Sequence, residues 1–261
     1  MLTTTERAQI LFSQHREQDK FSPFTNELAI NAVNEAYAVQ HALVELELTD
    51  LDSSIVGYKI GLTAPRMQAL LGIDSPIAGV VYDGRLHDSG TTVRRQQFVN
   101  LGIECEIGIR IGRDLAPNDG PFDFDNVSRA VDAVCPAFEL VDDRSADYAE
   151  TDIESLIADN SWNAGVVLGP WQKNWPDLAT LTGRVSRNGK FLDSGKGSDV
   201  LGHPFEALTW LANHLSTGQR GLRAGDIVAS GSMIPTRVPL TPEACSFEVD
   251  NLGVVTVTIE D

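Results

Sequence analysis

Residues 101–112, LGIECEIGIRIG, restrict what this chain can fold into more than any other stretch. In an extended strand successive side chains point to opposite faces. Ile103, Cys105, Ile107, Ile109 and Ile111 therefore share one face, and Gly102, Glu104, Glu106, Gly108 and Arg110 share the other. The chain must bury an isoleucine ridge while holding two carboxylates on the reverse side, their Cβ atoms about 6.5–7 Å apart. An isolated E-x-E is more simply a solvent-facing strand surface. Glu139 changes that reading, because it interrupts PAFELV, a run that otherwise looks like a buried strand. A carboxylate there is costly unless it is paired or coordinates a metal. Lys59 is a similar anomaly within IVGYKIGL, where the competing reading is an edge-strand lysine whose head snorkels outward.

Around this strand the periodicity is mixed. Residues 4–17 and 27–48 read as helices joined through the Pro-containing stretch 21–24, and Asp50 and Asp52 mark a boundary after the second. From residue 54 short apolar runs alternate with Gly, Pro, Asn and Asp: IVGYKIGL, IAGVVYDG, PAFELVDD, NAGVVLG, DIVASGS, CSFEVD and VVTVTIE. Asn188-Gly189 between two polar-apolar stretches predicts a hairpin. Helices are expected at 64–71 with Thr63 as N-cap, at 127–134 and at 203–215. The strand-rich C-terminal half has connections too short for repeated βαβ crossovers. The expected fold class is α+β, a mixed β-sheet roll or barrel with the N-terminal helices packed outside it. An N-terminal helical segment, 1–52, would precede a β-roll domain, 53–261.

A net charge of -17 repels phosphate backbones and anionic lipid, so nucleic acid and membrane are poor partners. It leaves room for a small anionic substrate, because a local lysine or metal reverses the sign inside a pocket. No apolar run reaches the ~18 residues of a membrane span, and the first residues lack a signal-peptide pattern; the expected location is cytoplasmic. Cys105, Cys135 and Cys245 lie far apart in or beside apolar runs, which predicts buried free thiols.

The five histidines show no metal-binding spacing. Three carboxylates without His or Cys companions suit a hard octahedral cation, Mg2+ or Mn2+, rather than zinc. Such a centre leaves open positions for the carboxylate and keto oxygens of a 2-keto acid, and would stabilise the enolate formed when a proton moves at C3.

Together the segments EAYAVQ, GYKIGLTAPRMQALLGIDSP, IAGVVYDG, IECEIGIRIGRDL, VCPAFELVDDR, DNSWNAGVVLG, GHPFEALTWLANHL and LRAGDIVASGS resemble the 2-keto-4-pentenoate hydratase / 4-oxalocrotonate decarboxylase family of the fumarylacetoacetase C-terminal-like superfamily. The resemblance runs over nearly the whole chain. It implies a mixed β-roll, homo-oligomers, and for some members association with a related pathway enzyme. By position it implies Glu104, Glu106 and Glu139 as metal ligands and Lys59 and Asp83 as pocket lysine and aspartate. Ser232 matches a loop that approaches the substrate.

The implied activity is hydration of a 2-hydroxy-2,4-dienoate to a 4-hydroxy-2-keto acid, as in meta-cleavage catabolism of aromatic compounds. Lys59 would bind the substrate carboxylate or shuttle a proton, the latter only if its pKa is lowered by burial and the metal; Asp83 would act as acid/base or orient Lys59. Decarboxylation of a 4-oxalocrotonate-like 2-keto dicarboxylate needs the same ligands and is the nearest alternative. C–C bond hydrolysis ranks third, since no His–Glu pair to activate water is visible. A non-catalytic partner subunit is a further alternative, and a lost ligand would be its signature.

Overall fold

The isoleucine ridge finds partners on both sides, and the architecture follows from that. The structure is a computed structural model that describes residues 2–70, 72–240 and 242–261. Two helices come first, α1 (Thr4–Glu17) and α2 (Val33–Leu51). They are followed by β1 (Ile55–Gly61), α3 (Pro65–Leu70), β2 (Ile77–Tyr82), β3 (Leu86–Asp88), β4 (Thr91–Arg94) and β5 (Leu101–Ile111). Next are α4 (Phe124–Ser128), β6 (Val131–Asp142), α5 (Ile153–Ala158) and β7 (Asn163–Leu168). The last elements are β8 (Thr182–Arg187), β9 (Lys190–Lys196), α6 (Pro204–Thr217), β10 (Ile227–Arg237), β11 (Glu243–Val249) and β12 (Gly253–Glu260).

A seven-stranded sheet runs β2-β1-β10-β5-β6-β7-β3, and a five-stranded sheet runs β4-β12-β11-β8-β9. Both mix parallel and antiparallel pairs, with β1/β10, β3/β7 and β4/β12 parallel. The fold is therefore the α+β roll expected, made of two open sheets rather than one closed barrel. β5 lies at the centre of the larger sheet, where Ile103, Ile107, Ile109 and Ile111 are buried in the main core. Phe138 of β6 meets Phe247 of β11 between the sheets, ring centroids 6.1 Å apart. All three cysteines are buried and free. Among the described residues no helix is long and apolar enough to cross a membrane.

Several expectations need correction. The second helix begins at Val33, not residue 27, because the Arg7 guanidinium holds the Leu28 and Ala29 carbonyls at 3.0 and 2.9 Å and keeps them from helical bonding. The helix expected at 127–134 stops at Ser128, and β6 starts at Val131. Its apolar spacing suits a helix, but Val131, Ala133 and Val134 pair with Ile111, Arg110 and Ile109 of β5. The ladder offered by that long central strand overrides local propensity. Ala64, not Thr63, caps α3, since its carbonyl accepts from the Met67 and Gln68 amides; Leu71 lies outside the described residues. The hairpin at Asn188-Gly189 is present, both residues having positive φ, whereas the short strands β3 and β4 carried no sequence signal.

The N-terminal helices dock through a second apolar cluster, in which Ala8, Leu11, Val39 and Leu43 meet Ile77, Leu156 and Trp162. An ionic clasp sits beside it. His15 Nδ1 lies 2.6 Å from Glu47 Oε1, and its Nε2 contacts Asp159 Oδ1 at 2.5 Å. A ring with a carboxylate at each nitrogen must donate from both, so it is an imidazolium. Burial alone would push His15 down, but the charges of Asp159 and Glu47 outweigh it and hold its pKa up to about 9. Burial likewise opposes ionisation of Glu47, yet bonding to His15, with Arg85 nearby, brings it to about 2.

A histidine raised from 6.5 to about 9 on folding adds stability that is complete below pH 6.5 and lost as pH rises through about 9. We expect His15→Leu, which removes one ionic partner from each of two buried carboxylates, to lower unfolding stability by about 3 kcal/mol near pH 6. The gap should narrow by roughly pH 9.5, where the wild-type ring is also neutral. Urea unfolding of both proteins at the two pH values measures it, and an equal gap at both would remove the imidazolium from the clasp.

Candidate metal and substrate site

Strand register assembles the acidic cluster. β5 and β6 pair antiparallel with Glu104 directly opposite Glu139, and Glu106 stands two residues along on the same face as Glu104. A carboxylate oxygen from each of the three lies within 4.8 Å of the others. Glu106 and Glu139 are both 0% exposed, while Glu104 is partly open to a cleft. Lys59 of β1, 4% exposed, brings its Nζ to 3.2 Å from Glu139 Oε1.

Each glutamate has one oxygen tied down by the protein. Asn163 Nδ2 donates to Glu139 Oε1 at 2.9 Å beside Lys59, the Gly231 amide donates to Glu106 Oε2 at 2.9 Å, and the Thr236 hydroxyl donates to Glu104 Oε1. Gly231 lies at φ +109° in a bulged part of β10, where an added Cβ would fall 2.3 Å from Thr63 Oγ1. Only glycine can deliver that amide. The other oxygens of the two buried glutamates, Glu106 Oε1 and Glu139 Oε2, have no hydrogen-bond partner among the described residues.

Three carboxyl groups against one ammonium crowd negative charge into a largely buried place. Burial, with the charges of Glu139 and Glu104, pushes the Glu106 carboxyl well above the ordinary range. Burial raises Glu139 to about 7 against the opposing pull of Lys59 and Asn163. Burial would lower Lys59, but Glu139, Glu104 and Glu106 outweigh it and hold the ammonium above its ordinary value. Burial by itself therefore does not free Lys59 to act as a base, since the three surrounding carboxyl groups favour its ammonium form. Two unpartnered carboxyl oxygens, an all-oxygen donor set and carboxyl groups whose ionisation lacks enough counter-charge fit one hard dication.

A cleft of about 950 Å3 lies over the cluster, with Glu104, Ser232, Thr236, Tyr148 and Arg66 in its walls. An inner lobe of about 80 Å3 reaches Lys59 between Leu62, Ile77 and Trp162. A separate cavity of about 360 Å3, at His15, Arg85 and Arg144, contains none of the three glutamates.

Four of the six residues singled out from sequence, Lys59 and the three glutamates, come together. Asp83 does not. It is exposed just past the end of β2, four residues beyond Gly79, which is the strand partner of Lys59, and it lines neither lobe of the cleft. Ser232 does line the cleft, but its hydroxyl is engaged with the backbone. It donates to the Ile234 carbonyl at 2.6 Å and accepts from the Cys105 amide at 3.1 Å, an arrangement that secures the bulge rather than a substrate. Asn163, Thr236, Gly231 and Tyr148 were missed. For Asn163 a signal existed, a polar residue opening the apolar run NAGVVL; the others depend on contacts between distant strands.

The fumarylacetoacetate (FAA) hydrolase C-terminal family model matches residues 75–260. The 2-keto-4-pentenoate hydratase of Paraburkholderia xenovorans (strain LB400) is 30% identical over 257 residues, covering 98% of this chain and 94% of its own. The 2-oxo-hept-4-ene-1,7-dioate hydratase of Escherichia coli is 33% identical over 261 residues, with 96% of each chain covered. Among solved structures, 4-oxalocrotonate decarboxylase from Pseudomonas putida G7, complexed with magnesium and adipate, superposes with a TM-score of 0.91 at 27% identity and covers 99% of both chains. By sequence over most of its length and by fold over nearly all of it, this chain belongs to the fumarylacetoacetate hydrolase C-terminal family.

Proposed function

We propose that this protein is a divalent-metal-dependent hydratase that adds water to a 2-hydroxy-2,4-dienoate, giving a 4-hydroxy-2-keto acid. The carrying observation is the cluster of Glu104, Glu106 and Glu139, in which the two buried glutamates each keep one unpartnered oxygen. The full-length likeness to hydratases of this substrate class supports the reaction. Mg2+ or Mn2+ fits the donors, and the magnesium in the decarboxylase structure supports that choice. When bound, the dication supplies positive charge for the carboxylate and 2-oxygen of the substrate, favouring the enolate.

The chain's own residues do the rest. Glu104, Glu106 and Glu139 hold the cation on two adjacent strands of a sheet, a rigid mount. Lys59 favours the ionised form of Glu139 against burial and turns an ammonium toward the inner lobe, where it binds the anionic head of the substrate. The apolar walls Leu62, Ile77 and Met67 exclude bulk water from the diene. Net reaction places the enol proton's equivalent on the far carbon of the diene, then hydroxyl on C4 and hydrogen on C3 of the resulting enone. Asp83 is given no part in this scheme, and Ser232 contributes the bulge that aims the Gly231 amide.

Decarboxylation of a 2-keto dicarboxylate is the second reading, favoured by the fold match to 4-oxalocrotonate decarboxylase. Supplying 2-hydroxypenta-2,4-dienoate and 2-hydroxyhexa-2,4-dienedioate separates the two. We expect water gain with the first, and release of CO2 from the second without hydration of either would make the decarboxylase reading correct. Chelator-stripped protein should be inactive and should recover with Mg2+ or Mn2+; full turnover without metal would end the proposal.

Lys59→Met should cut turnover by roughly 10²-fold while the metal-loaded protein stays folded. Without metal the variant should melt below wild type, because no ammonium then faces three carboxylates. Thermal melts with and without Mn2+, beside a dienol consumption assay, test this. A fully active variant would remove Lys59 from the reaction.

A further inference from the structure

Three consecutive non-glycine residues, Asn160, Ser161 and Trp162, have left-handed backbones, φ 50°, 51° and 58°. All three are buried. Such conformations are costly for non-glycine residues and persist only where the surroundings enforce them. Here the edge of β2 does so. The Asn160 side-chain amide accepts from the Val80 amide at 2.7 Å and donates to the Val80 carbonyl at 3.0 Å, standing in for a neighbouring strand. The Ser161 hydroxyl donates to the Ala78 carbonyl at 3.1 Å.

The next residue is Asn163, 5% exposed, whose Nδ2 donates to Glu139 Oε1 at 2.9 Å. Its Oδ1 has no partner among the described residues, and reversing the amide would set that oxygen against the carboxylate, so chemistry fixes the donor end on Glu139. The same Oε1 receives Lys59, whose strand β1 pairs with β2 at Gly79. Both donors to Glu139 are thus registered on one strand, β2, and together they leave Oε2 as the unoccupied oxygen.

We propose that Asn163 is a positioning residue for Glu139. Its amide, delivered by the left-handed turn, occupies Oε1 so that Oε2 is presented to the cation. This rests on the reading of the three glutamates as metal ligands. Outer contacts that orient a ligand typically change metal affinity by about 10–100-fold when removed.

The test is calorimetric titration of Mn2+ into chelator-stripped wild type, Asn163→Leu, Asn163→Ser and Ser161→Ala, each also followed by thermal melting. Both Asn163 variants should bind Mn2+ about 10–100-fold more weakly at a temperature where they are folded. Ser161→Ala, which loosens the turn but keeps the amide, should melt lower and bind within about twofold of wild type. Asn163→Ser, smaller and without the reach of the amide, decides the matter if the leucine variant does not fold. Wild-type affinity in a folded Asn163 variant would overturn the proposal, as would an equal loss in Ser161→Ala, since the turn and not the amide would then be responsible. A wild-type protein that binds no Mn2+ would instead refute the metal reading itself.

Discussion

Glu104 faces Glu139 across a central pair of antiparallel strands, and the rest of the structure answers to that juxtaposition. Like charges directly opposite one another destabilise a sheet, more so when buried. The register cannot slip to separate them, because a shift of one residue would turn the isoleucines of β5 out of the core. Hydrophobic burial on one face therefore enforces electrostatic frustration on the other. The protein relieves part of it with one donor or more per carboxyl group, and the remainder holds Glu106 and Glu139 above the ordinary carboxyl range.

The N-terminal helices brace the strand that aims the relieving groups. Gln40 of α2 donates to the carbonyls of Ala78 and Ile157, at 2.9 and 2.8 Å, spanning β2 and α5. The Tyr82 hydroxyl at the far end of β2 bonds Glu47 at 2.6 Å, and Glu47 is one arm of the His15 clasp. Asp159, the other arm, immediately precedes the left-handed turn and is also gripped by Arg144 at 2.6 Å. Helix docking and site geometry thus share β2 and the 159–163 segment. The helices act on the site through that frame, not by lining it: no residue of either helix borders the two lobes of the cleft.

How far this was legible in sequence depends on the range of the interactions. Strict alternation in β5 put Glu104 and Glu106 on one face, and Glu139 and Lys59 betrayed themselves as charges inside apolar runs. Periodicity and the cost of burying charge are local signals, visible in one chain. The roll and the Asn188-Gly189 hairpin followed from similar patterns. What escaped were features decided between distant segments. β6 took residues from an apparent helix because β5 needed a partner along its whole length. The start of α2 was set by Arg7, and the Gly231 amide meets Glu106 only through a bulge in β10. Asp83 and the Ser232 hydroxyl were assigned by resemblance alone. No charge anomaly marked either, and in the structure neither side chain is directed into the cluster's chemistry.

The same scaffold is shared with hydratases by sequence and with a decarboxylase by fold, over nearly the full chain in each case. A frame common to both chemistries cannot by itself choose between them. On the proposed reading, both reactions pass through an enolate of a 2-keto acid, and a dication beside the Lys59 ammonium would stabilise that charge whichever bond is then made or broken. The choice must lie beyond the glutamates, where the distal part of the substrate meets the walls of the cleft. Besides Glu104, those walls come from the loop and short helix after β1, the segment around Tyr148, residues 194–202 and the end of β10. None of them belongs to the β5/β6 pair that the isoleucine ridge holds in register. On the proposed reading, the reactive head is bound on the most constrained part of the fold. Of the walls that meet the tail, the end of β10 is tied to Glu104 and Glu106, whereas the segment around Tyr148 and residues 194–202 lie outside the strands that hold the glutamates.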